Sequence, residues 1–70
     1  MTNEKKLELI KSYIDEIENY KEDISLPFYK KQHLERAFFV YNDLYKDAEQ
    51  GKIDLDFLHE NITSFLYVVQ

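Results

Sequence analysis

The residues best suited to chemistry are two histidines, His33 and His59, and the carboxylates near them. Asp56 and Glu60 stand four positions apart on either side of His59, so on a helix they share one face. An imidazole beside two carboxylates can hold a divalent cation adventitiously, but such a set is far more often an exposed polar patch. We therefore expect no metal site. His33 falls at the border of an apolar stripe and is read as a boundary residue that packs its ring. The hydroxyls of Thr2, Ser12, Ser25, Thr63 and Ser64 have no glycine-rich elbow and no histidine at a spacing that would activate them. A single glycine in the chain excludes the phosphate-cradling and dinucleotide-binding loops. We expect neither an enzyme nor a cofactor.

The absence of cysteine removes disulfides and thiolate ligands. Fourteen acids against nine bases give a net charge of −5, which argues against phosphate-backbone binding. A helix-turn-helix reading fails on the third helix, which carries no Lys or Arg and has its acids where base contacts would be made. Direct nucleic-acid binding is not expected. The longest apolar runs, such as residues 37–41, are too short for a membrane span, and no signal peptide is visible, so a soluble cytoplasmic protein is expected. Asn61-Ile62-Thr63 matches a glycosylation sequon, read here as chance. Lys, Ile, Asn, Tyr and Phe supply 29 of 70 residues and Gly, Ala, Arg and Pro only five. That bias suits an AT-rich genome such as that of a low-GC bacterium, its phages or its plasmids.

The elements that must position these groups are all helical. Leu7, Ile10, Ile14 and Ile17, with Ile24 as a further candidate, recur three and four apart and predict a helix over about 3–23, capped by Asn3 or Thr2. Ser25 followed by Pro27 reads as a helix start, giving a second helix over about 26–50 that Gly51 stops. Asp54 is a good N-cap for a third helix over about 54–69, with Ile53 and Leu58 placed as a hydrophobic staple. Its core positions are Leu55, Leu58, Ile62, Phe65, Leu66 and Val69. Short connections make consecutive helices antiparallel. The expectation is one domain over 1–70, an all-α, up-down-up three-helix bundle, with the second helix broad enough to touch both neighbours and a homodimer as an open alternative.

Some large side chains do not fit that core. At 100° per residue Phe39 points away from the second helix's apolar arc, among Gln32, Glu35, Arg36, Asp43 and Lys46. Phe57 and Val68 lie with Asn61 and Ser64 on a flank roughly 100° from the third helix's stripe, Tyr67 faces outward, and Leu9, Tyr13 and Tyr20 form a strip beside the first helix's isoleucines. Acids collect in residues 12–23, which hold five acids and one base, and again around the second turn. Glu22 and Asp23 are placed to pair across the first turn with Lys30 and Lys31.

Aromatic anchors ringed by acids suit a non-enzymatic protein-binding module: a small acidic regulator or inhibitor of a partner with a basic surface. Phage- or plasmid-type inhibitors and immunity proteins are analogous in size, charge and helicity only, with no motif behind the comparison. The candidate binding residues are Phe39 with Glu35, Arg36 and Asp43, then Tyr13 and Tyr20 with Asp15 and Glu16. The alternative is an assembly protein, a homodimeric helical bundle with Phe57, Val68 and Tyr67 as contacts between copies.

Overall fold

The computed structural model describes residues 2–69, which form an all-α bundle of three helices, α1 (Asn3–Lys21), α2 (Phe28–Glu49) and α3 (Leu55–Val69). Thr2 caps α1, its hydroxyl accepting from the Lys5 amide at 3.2 Å. The expected starts and stops hold where the signal is local. Gly51 takes a φ of +75°, and the Gly51 and Lys52 amides donate back to the carbonyls of Ala48 and Asp47 at 3.1 and 2.9 Å. This closes α2 in the paired arrangement that a left-handed residue permits. Asp54 caps α3, its carboxylate accepting from the Asp56 amide at 3.1 Å.

The start of α2 differs from the expectation. Ser25 does not cap it: the Ser25 amide and hydroxyl both donate to the Asp23 carboxylate, at 2.9 and 2.7 Å, in a tight turn of their own. Pro27 stands in the N-cap position and the helix begins at Phe28, two residues late. The cause is steric, since the proline ring drives the residue before it, Leu26, away from helical angles. Residues 22–27 are therefore the connection, and Ile24, a candidate core residue by its spacing, lies in it 94% exposed. The same turn replaces the expected ion pairs. Among the described residues none joins Glu22 or Asp23 to Lys30 or Lys31, and Lys31 reaches Asp23 only as a weak longer-range attraction.

The core runs along the bundle axis as Ile10, Ile14 and Ile17 of α1, Leu34, Tyr41 and Ala48 of α2, and Leu58, Ile62 and Leu66 of α3. The three isoleucines of α1 are wholly buried. Helix α1 packs extensively on both neighbours, whereas α2 and α3 meet each other along a slighter seam. The central element is thus α1, not the second helix. A salt bridge from Lys6 to Asp56 at 2.6 Å fastens the first turn of α1 to that of α3. No helix among the described residues is long and apolar enough to cross a membrane.

Candidate functional site

The phase of α2 carries Phe39 out of the core, and 66% of its surface is exposed. Its ring meets that of half-buried Phe38 edge-on, with centroids 6.0 Å apart at 68°. The Lys21 ammonium of α1 lies 5.2 Å from the Phe38 centroid. A cation over one ring and an edge contact to the next hold these side chains in register, each contact being individually modest. Phe39 is thereby an exposed aromatic with a supported orientation, and Glu35, Arg36 and Asp43 are all exposed on the same helix.

The second group of candidates lies elsewhere. Tyr13 and Tyr20 are half-buried against the core. The Tyr13 ring sits 5.8 Å from His59, tilted by 56°, and so joins α1 to α3. Asp15 accepts from the Lys11 ammonium at 3.3 Å, one turn away. Glu16 shares a shallow hollow with Tyr13, Thr63, Leu66 and exposed Tyr67. Tyr67 is therefore separated from Phe57 and Val68, which lie on the opposite flank of α3.

On that flank Phe57 and Val68 share a surface with Asn61 and Ser64, as helix phase predicts. The slight seam between α2 and α3 leaves an open groove of about 560 Å³, walled by Phe57, Asn61, Ser64 and Val68 of α3 and floored by Tyr41 and Phe65. It continues past Val40, Arg36 and Leu44 on one side and past Tyr29, Lys30 and His33 at the end nearest Val68. Phe57 is 59% exposed and Val68 81%. Within the floor the Tyr41 hydroxyl donates to the Asn61 side-chain oxygen at 2.6 Å, with the Asn61 carbonyl at 3.4 Å. Burial pushes the Tyr41 phenol above its ordinary pKa. Phe57 and Val68 are recoverable from helix phase; the groove itself is not, because phase does not say how closely two helices approach.

The chemical candidates are occupied in packing. The hydrogen bond from Lys6, reinforced by its charge, holds the Asp56 carboxyl below the usual range and commits it to the α1–α3 contact. The His59 ring lies on Tyr13, and His33, although exposed, places its ring 5.5 Å from Phe65. Among the described residues no three metal-ligating side chains converge. Compared with family models, with curated proteins and with solved structures, the chain matches none.

Proposed function

We propose that the protein is a non-enzymatic binding module, a small acidic helical regulator or inhibitor that acts by contacting other proteins through exposed apolar surfaces. The observation that carries this reading is Phe39, which stands two-thirds exposed on a packed aromatic support and among charged neighbours of both signs. Exposed aromatics anchor interfaces well, because a large ring brings much contact area for few side-chain torsions to be ordered. The charges around it set register and speed encounter more than they add affinity. The net charge of −5 favours a partner with a basic surface, and the charges immediately around Phe39 are of both signs. The groove between α2 and α3 is a second apolar surface, turned away from Phe39, and is read as a protein contact too.

The test is capture of partners by the tagged chain from cells that produce it, compared with Phe39→Ala and Asp43→Lys. Phe39 contributes little to the core, so Phe39→Ala is expected to keep its helix content and unfolding midpoint. It should lower partner retention about fivefold, equivalent to roughly 1 kcal/mol. A wild-type chain that retains nothing but its own copies, or variants that retain as much as wild type, would overturn the reading.

A further inference from the structure

We infer that the groove face of α3 is a self-association surface, covered by a second copy of this chain packed antiparallel across a two-fold axis. The inference rests on reading the groove as a protein contact and names its occupant. Four of the exposed residues on this face, Phe57, Asn61, Ser64 and Val68, have a symmetric spacing, and the fifth, Glu60, stands beside Asn61. An antiparallel copy centred between Ile62 and Thr63 sets Phe57 against Val68 of the second copy and Asn61 against its Ser64. Both pairs recur by symmetry, as an isologous interface requires. The anchors are eleven positions apart, about 16 Å along the helix. Between them stand the polar side chains of Asn61 and Ser64, with Glu60 at the edge.

Charge favours the same orientation. Helices α2 and α3 run antiparallel, so the groove has a basic end and an acidic end. Lys30 lies with Val68, and Arg36 follows on the same edge of α2. Glu60 lies in the groove with Phe57, about one turn along α3 from it. A two-fold copy brings each basic end over the other chain's acidic end. A parallel copy would set like charges together. The area needed is modest: a stable interface takes about 800 Å² per partner, roughly one sixth of the 5133 Å² this chain exposes.

Mass measured by light scattering or sedimentation, from micromolar to about 1 mM, gives the first readout. The expected result is a concentration-dependent rise from 8.5 kDa to twice that mass. Val68→Asp should raise the dissociation constant roughly thirtyfold or more while the circular dichroism spectrum stays that of the wild type. Register is read by disulfide formation, which the cysteine-free chain makes clean. A mixture of Phe57→Cys and Val68→Cys chains should cross-link as the mixed pair in preference to either like pair. A wild-type chain that stays at 8.5 kDa to 1 mM overturns the inference, as does a dimer that Val68→Asp leaves intact or that cross-links equally in all combinations. None of these outcomes bears on capture through Phe39, which faces away from the groove. Failure of the binding reading would appear there instead.

Discussion

Replacing Tyr41 by Phe isolates the contact that ties α2 to α3 across their weakest seam. The ring stays, and with it the packing on Phe65, whose centroid is 5.6 Å away. What is lost is a hydroxyl that is 7% exposed as part of its residue and donates to Asn61 at 2.6 Å. The net worth of such a bond is about 0.5–1.5 kcal/mol. Asn61 is exposed, so its released amide oxygen is rehydrated and no penalty for a stranded acceptor is added. The expected cost is therefore about 1 kcal/mol, a quarter or so of the roughly 3–5 kcal/mol a core of this size supplies. At about 4–8 °C per kcal/mol the unfolding midpoint should fall by several degrees. Urea and thermal unfolding followed at 222 nm, at one fixed protein concentration, measures it. Asn61→Ala and the double variant complete the cycle, and the coupling between the two sites should be at least about 0.5 kcal/mol. A Tyr41→Phe protein within about 0.3 kcal/mol of wild type, with strictly additive effects in the cycle, would refute the claim that this bond holds the seam.

Ile14→Ala removes wholly buried volume from the helix that both neighbours share; a loss of about 2–5 kcal/mol should leave the chain largely unfolded at 25 °C by circular dichroism. Gly51→Ala meets no steric neighbour yet forces a side chain into left-handed φ, so it should cost about 1–2 kcal/mol in urea unfolding, and Gly51→Asn less. Asp23 and Asp56 have lowered pKa values when folded, so the stability they confer is present above the unfolded carboxylate range and lost as pH falls below about 4. The Asp23→Asn, Asp56→Asn variant should accordingly show a flatter acid limb in its midpoint–pH profile. Tyr41 acts in the opposite sense, its raised pKa giving stability that fades only as pH climbs past about 10, and Tyr41→Phe should flatten that limb.

What the sequence disclosed follows the range of each interaction. Gly51, Asp54 and Thr2 mark helix ends through bonds to residues two to four places away, and each acts as its type and position lead one to expect. The outward placement of Phe39, Phe57 and Val68 follows from helix phase alone. Ser25 was misleading because two local rules compete there, and the steric demand of Pro27 on Leu26 prevails over a good capping side chain. Ile24 continued a periodicity whose helix had already ended at Lys21. The central position of α1 is tertiary information: all three helices carry an apolar stripe, and spacing does not rank their separations. Tyr41 with Asn61 and Lys6 with Asp56 join residues 20 and 50 places apart, beyond any local pattern.

The unequal seams also give the bundle an order of coming apart. With α1 as the shared wall, α1 and α2 form a helical hairpin that keeps its own contacts when α3 lifts away, whereas removal of α1 leaves α2 and α3 only their slight seam. Amide protons of α3 should then exchange through an excursion of that helix alone, at a lower free energy than those of α1, which wait for global unfolding. Each excursion breaks the Lys6–Asp56 bridge and the Tyr13–His59 contact and bares Ile10, Ile14 and Ile17. Throughout such an excursion α3 stays tethered to α2 by the Gln50–Lys52 turn, so its return to α1 is an intramolecular event.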